Sequence, residues 1–275
     1  MNTEIQRRKL WDIQLDILNI IDQVCRENNL HYSLYAGTLI GAVRHQGFIP
    51  WDDDLDICMP RKDYESFLEI WEDQDHPGYI LQNKRNTHSF TQSFSKIRKD
   101  HTTFLQYDWE KERYHTGIFV DIFPIDRCPV SFLRQRFFFW KCMKYQLYTR
   151  EFTPPKASIL TKTVSRVLLS LSSSDGRKKY RERFEQELNR LYAHTDFPVV
   201  AIETTASMKQ IYSNDLPDEY IDLLFEGKEY QCFSKWDEYL KLKYGDYMEL
   251  PSEKERVWKH SQLIIDFNHN YGEES

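Results

Sequence analysis

Residues 35–60, YAGTLIGAVRHQGFIPWDDDLDICMP, place Asp52, Asp53, Asp54 and Asp56 at the head of an apolar, strand-like run and downstream of a Gly-Thr pair. On a strand, side chains alternate, so Asp52, Asp54 and Asp56 are expected on one face and Asp53, Leu55 and Ile57 on the other. Carboxylates two residues apart on one face repel each other unless a cation neutralises them, and oxygen-only ligands suit Mg²⁺ or Mn²⁺. Mg²⁺ leaves coordination positions to water and substrate phosphate, so a nucleotide-type donor is the expected partner. A solvated acidic turn before a strand gives the same short pattern, and Asp-x-Asp alone does not separate the two. Three neighbours favour the metal. Gly37 and Thr38 sit where a strand passes into a helix, so that backbone amides and a hydroxyl can approach a phosphate. Asp121 interrupts the apolar run GIFVDIFPID (117–126), where a lone buried carboxylate is costly unless paired or metal-bound. Arg44 and His45, between the Gly-Thr pair and the aspartates, can meet phosphate charge.

Gly-Thr after one strand, Asp-x-Asp on the next and a single Asp on a later strand is similar to the nucleotidyltransferase superfold. More specifically, YAGTLIGAVRHQGFIPWDDDLDICMPRKDY with GIFVDIFPID and the late YGDYMELP (244–251) resembles the LicD family of phosphocholine transferases, related to the fukutin-type phosphotransferases. The resemblance runs from about residue 10 to 125 and resumes near 235. It implies an α+β fold, a nucleotidyltransferase-like mixed sheet flanked by helices with a largely helical C-terminal region. It also implies transfer of phosphocholine from CDP-choline to a sugar hydroxyl of a teichoic acid or lipopolysaccharide precursor, with CMP leaving. Such a reaction needs charge neutralisation of the pyrophosphate and in-line placement of the hydroxyl, which a carboxylate-held Mg²⁺ provides.

Asp54 and Asp56 are accordingly assigned as metal ligands, and Asp121 as a third ligand that also accepts the acceptor's proton. Asp52 and Asp53 are expected to support them. Lys96 and Arg98 alternate on one face of a strand-like segment and are candidates for the donor phosphates, a solvated strand face being the alternative. A choline head group asks for an aromatic cage, for which Trp51, Tyr35 and Trp109 are candidates. His31, His101 and His115 have no ligand spacing and read as structural. The YGDYMELP segment is expected, on resemblance, to close the acceptor side. Two other readings are a transferase on the same scaffold moving a nucleotidyl group, phosphoethanolamine or ribitol phosphate, and a non-catalytic nucleotide- or glycan-binding protein.

The elements that must position these residues follow from periodicity. Apolar residues from Ile5 to Val24 recur at helical spacing, and 31–36 reads as a strand leading into a helix at LIGAVR. Residues 53–59 read as a strand ended by Pro60. Residues 62–71 read as a helix with Tyr64, Phe67, Leu68 and Trp71 inward. Further strands are expected at 79–82, 92–98, 103–107 and 117–122. From about 130 the pattern is helical, broken at Pro154-Pro155 and at SSSDG (172–176). A catalytic core over 1–128 and a mainly helical region over 129–275, packed on the core as one unit, is the expected organisation.

The 275 residues suffice for a substantial core, and a net charge of −6 argues against a dedicated nucleic-acid binder. The start, MNTEIQRRKL, has no apolar signal region and no run approaches the roughly 18 apolar residues of a membrane span, so a cytoplasmic protein is expected. The five cysteines are far apart with no CxxC pair and read as buried free thiols. Residues 131–174 reverse the overall charge, with eight basic residues and one acid, Glu151, a net of +7. Basic residues interleaved with Phe137, Phe138, Phe139 and Trp140 suit an interfacial helix on anionic lipid, giving a peripheral place for 131–150 on the inner face of the plasma membrane. A buried helix with a solvated basic rim, or a subunit contact, is the alternative.

Overall fold

The amphipathic N-terminal run forms α1 (Thr3–Glu27), which buries Leu10, Ile17, Leu18, Ile21 and Val24. The computed structural model to which it belongs describes residues 3–106, 110, 114–154, 157–257 and 264–273. After α1 come β1 (Ser33–Leu34), α2 (Ala36–His45), β2 (Asp56–Pro60), α3 (Arg61–Asp73), β3 (Tyr79–Gln82), β4 (Ser95–Lys99), β5 (Thr103–Leu105) and β6 (Phe119–Arg127). Pro60 closes β2 and α3 starts at the next residue, burying Tyr64, Phe67, Leu68 and Trp71 as the spacing predicts. The C-terminal half contributes α4 (Phe132–Arg150), α5 (Ile159–Ser170), α6 (Ser174–Tyr192), β7 (Val199–Ala201), β8 (Tyr220–Phe225), β9 (Lys228–Phe233), α7 (Trp236–Tyr244) and β10 (Ile264–Asp266).

The main sheet is mixed, in the order β1-β2-β6-β4-β3, with β7 also paired to β6. Its central strand, β6, is buried at all nine positions, which explains its near-continuous apolar sequence. β2 runs parallel to β6; the sheet's other pairings are antiparallel. β4 lies along the first half of β6 and β7 along its second half, so a strand from the C-terminal half completes the sheet. The β8–β9 hairpin packs on β1, where the Phe233 amide donates to Ser33 Oγ. β5 and β10 pair separately. The five cysteines are free and buried.

Two buried aspartates on β6 meet different fates. Asp126 takes a two-pronged hydrogen bond from Arg61, Nε at 2.7 Å and Nη2 at 2.8 Å, and so ties α3 to the sheet. Asp121, five residues earlier and hence on the opposite face, points to a different neighbourhood.

Candidate active site

The aspartate stretch is not all strand. The Asp52 amide donates to the Ile49 carbonyl, making a turn, and the carbonyls of Asp52 and Asp53 are taken by Trp11 Nε1 and Gln14 Nε2 of α1, each at 3.1 Å. Those carbonyls are thereby occupied by side chains, and β2 starts at Asp56, three residues later than alternation predicts. The split that places Asp53 on the far face therefore does not govern 52–55. Asp52, Asp53 and Asp54 can each present a carboxylate oxygen with all three within 4.8 Å of one another, an oxygen set able to hold a divalent cation. Asp56, the first residue of β2, stands in register with Asp121 on β6.

The Gly-Thr pair lies inside the first turn of α2 rather than ahead of it. Thr38 Oγ1 accepts from the Asp56 amide at 2.8 Å, which joins the start of α2 to the start of β2. A Cβ on Gly37 would stand 2.7 Å from Asp52 Oδ2, so only glycine lets this carboxylate approach so closely. Ala36, at φ 49°, makes the sharp entry into the helix, and its amide is capped by the Tyr239 hydroxyl at 3.3 Å. The amides of Gly37 and Thr38 belong to the helix's open N-terminal turn, beside the carboxylates.

Electrostatics follow from this crowding. Burial, then the neighbouring Asp54, Asp121 and Asp52, push the Asp56 carboxyl well above its usual range. Asp121 is also raised by burial, against the pull of Lys96, whose Nζ donates to Asp121 Oδ1 at 2.5 Å. Burial lowers Lys96, and its ammonium lies 3.3 Å from the centroid of the Phe119 ring. The negative charge of Asp54 adds to the upward push on both Asp56 and Asp121.

Other predicted residues are placed as follows. Arg98 shares the Phe119 ring with Lys96, as alternation requires, but donates to Gln82 Oε1 and the Gly117 carbonyl, both at 2.7 Å. Arg44 donates to the Tyr247 carbonyl at 2.8 Å and so secures the YGDYMELP segment; its Nε meets His45 Nε2 at 3.0 Å. Burial and Arg44 both lower the His45 pKa. Trp51 is half-buried, edge-on to His45, with the Arg256 guanidinium 5.4 Å from its ring. Tyr35 belongs to the core: its ring packs against Phe123 and Tyr239 and its hydroxyl donates to Glu203 Oε1 and accepts from Lys243 Nζ. A residue bridging strand and helix is fixed by packing on both sides, which its aromatic type alone did not reveal. Trp109 lies outside the described residues.

Sequence reasoning missed Tyr244, the last residue of α7. Its side chain is 43% exposed, and partial burial, then the charges of Asp56, Asp52 and Asp54, raise its hydroxyl pKa. It also missed the support behind it, where Lys243 reaches Glu203 at 3.7 Å. The signal available was the tyrosine opening YGDYMELP.

The segment carrying Gly37, the aspartates and Asp121 lies within residues 29–164, which match the model described as LicD/FKTN/FKRP, nucleotidyltransferase domain. The site therefore belongs to a nucleotidyltransferase-type domain. Lipopolysaccharide cholinephosphotransferase LicD of Haemophilus influenzae is 30% identical over 276 residues, covering 94% of this chain and 98% of that protein. An uncharacterized protein of Rickettsia prowazekii is 32% identical over 110 residues, 40% of this chain and 38% of its own. The chain belongs to the LicD family. Among the described residues no helix is long and apolar enough to cross a membrane.

Proposed function

We propose that this protein is a metal-dependent transferase that moves phosphocholine from CDP-choline to a sugar hydroxyl of a cell-surface glycan precursor, lipopolysaccharide or teichoic acid, releasing CMP. The observation that carries the reading is the gathering of carboxylates at one corner, Asp52, Asp53 and Asp54 with oxygens within 4.8 Å of one another and Asp56 in register with Asp121 on the adjoining strands. The near full-length likeness to a lipopolysaccharide cholinephosphotransferase supports the substrate class. Asp54, Asp56 and Asp121 are the proposed ligands of Mg²⁺ or Mn²⁺, with Asp52 and Asp53 beside them. A cation held there would neutralise charge on the donor's pyrophosphate and on the leaving phosphate.

The chain's own groups do the rest. Amides of Gly37 and Thr38 receive donor phosphate oxygens at the start of α2. The acceptor hydroxyl oxygen bonds to the phosphorus carrying choline while Asp121 takes its proton. The bond from that phosphorus to the bridging oxygen breaks, and CMP leaves with the electron pair. Lys96, held on Asp121, supplies positive charge next to the transferred group. Arg98 and Arg44, both engaged with backbone carbonyls, act by holding strands and loop in place. A lipid-linked acceptor brings the enzyme to an anionic membrane surface, the inner face of the plasma membrane, through residues 131–150.

The head group has a second reading, because Tyr35 is packed in the core and Trp51 already carries Arg256. Ethanolamine or ribitol phosphate, which need no cage, suit the same scaffold. ³¹P NMR of the protein with Mg²⁺, an aminosugar-bearing acceptor and, in parallel, CDP-choline, CDP-ethanolamine or CDP-ribitol separates them. CMP and a new phosphodiester signal from CDP-choline, lost with EDTA, is the expected result. Turnover of another donor alone would replace choline in the reading, and no turnover of any would remove the transferase.

A further inference from the structure

Two consecutive helices wear their apolar residues outward. In α5, Leu160, Val164, Val167 and Leu171 follow at i, i+4, i+7 and i+11 and so form one stripe along the helix and its C-cap. Their exposures are 75, 39, 48 and 81%, whereas Ser165, roughly 130° around the helix, is the buried one at 6%. In α4, Phe138, Cys142 and Tyr145 form the inner face and join the cluster containing Phe184 and Leu188 of α6. Leu133, Phe137 and Trp140, again at i, i+4 and i+7, are 76, 65 and 60% exposed on the other side. Isolated exposed apolar residues are ordinary; two whole stripes turned away from the protein mark a surface made for a partner.

The base of this excursion is fixed. Glu151, which caps α4 at φ 65°, is met by Lys84, Arg177 and Arg181. Arg177 also donates to the carbonyls of Leu169 and Ser172 at the other end of α5. Arg177 of α6 thus meets both the C-cap of α4 and the end of α5, with α5 carried between.

Charge selects the partner. The exposed Arg134 and Arg136 on α4 and Arg166 on α5 accompany the stripes, within a segment of net +7 in a chain of net −6. A groove of ≈ 400 Å³ beside α4 sets Leu133 and Phe137 next to Arg134, with Lys141 and Glu187 paired with each other on its rim. Aromatic and aliphatic side chains outward, with arginines at their margin, fit the boundary between acyl chains and anionic head groups. We infer that α4 and α5 form a docking face for an anionic lipid bilayer, with the α5 stripe as a second inserting element beyond residues 131–150. Its purpose, bringing the enzyme to a lipid-linked acceptor, rests on the proposed transfer reaction; the binding itself needs neither donor nor acceptor.

The test is flotation of the full chain with vesicles of phosphatidylcholine alone or containing phosphatidylglycerol, without substrates, so that failure of docking and failure of transfer are read separately. Binding at least about tenfold stronger to the anionic vesicles, weakened by salt, is expected. Leu160→Ser with Leu171→Ser, and separately Phe137→Ser with Trp140→Ser, should each lower vesicle affinity by about tenfold while leaving circular dichroism and melting temperature unchanged. No flotation, equal flotation with both vesicles, or unaltered binding by the α5 variant would overturn the inference. So would a stable dimer in sedimentation equilibrium that these substitutions dissociate, since the face would then belong to a second copy.

Discussion

The aspartate corner and the α4–α5 excursion break the same rule in opposite directions. At the corner, carboxylates stand at the head of β2 and within β6, where apolar side chains would be expected; on α4 and α5, apolar side chains stand where charge belongs. A stretch that contradicts its own pattern is held by the rest of the fold for a reason, and such places are where function concentrates. The corner is held by α1, Thr38 and Lys96; the excursion is held at one base by Arg177. The difference teaches that the first region is costly and preorganised, whereas the outward stripes of the second contribute little to folding and are available to a partner.

Substitutions can break or sharpen that contrast. The largest effect is expected from Asp56→Asn, which should reduce CMP release from the donor by about a thousandfold. Removing one of several crowded like charges should at the same time raise thermal stability, by about 1 kcal/mol, in a melting experiment. A loss of stability equal to the loss of activity would make Asp56 merely structural. Arg61→Met addresses the other β6 aspartate. It leaves Asp126 buried without its two-pronged partner and should cost about 3–5 kcal/mol in urea denaturation, with residual folded protein still binding the donor. Thr38→Val removes the acceptor for the Asp56 amide and should cost about 1–2 kcal/mol by the same measurement, with a larger proportional fall in turnover. At the small end, Leu160→Ser should change stability by no more than about 0.5 kcal/mol, because its side chain already faces outward. A cost of several kcal/mol there would mean that α5 is part of the folding core.

Much of this was legible in the sequence, and what was not has identifiable causes. Asp121 stood out because a charge in GIFVDIFPID has to be answered by a partner, and it is answered by Lys96, which donates to its carboxylate, with the charge of Arg98 in support. The inward face of α3 followed from spacing alone. The conformation of 52–55 did not, because it is set by Trp11 and Gln14, about forty positions away, and alternation carries no record of such partners. Strand β7 is three residues long, too short for any period, and exists because β6 offers an edge beyond the end of β4. Tyr35 read as a ligand-facing aromatic but packs inward against Tyr239 of α7, more than two hundred residues on. The basic, apolar segment after 130 was visible as a helix; which way its stripes face depends on the anchoring by α6, a tertiary fact.

The central claim is that Asp54, Asp56 and Asp121 hold a divalent cation on which the donor's phosphates depend. Titration of Mn²⁺ into the protein, followed by the electron paramagnetic resonance signal of the free ion with and without CDP-choline, tests it most directly. The account predicts saturable binding that the donor tightens and that Asp54→Asn and Asp56→Asn each weaken by at least about tenfold. Mn²⁺ binding left unchanged by both substitutions would contradict it.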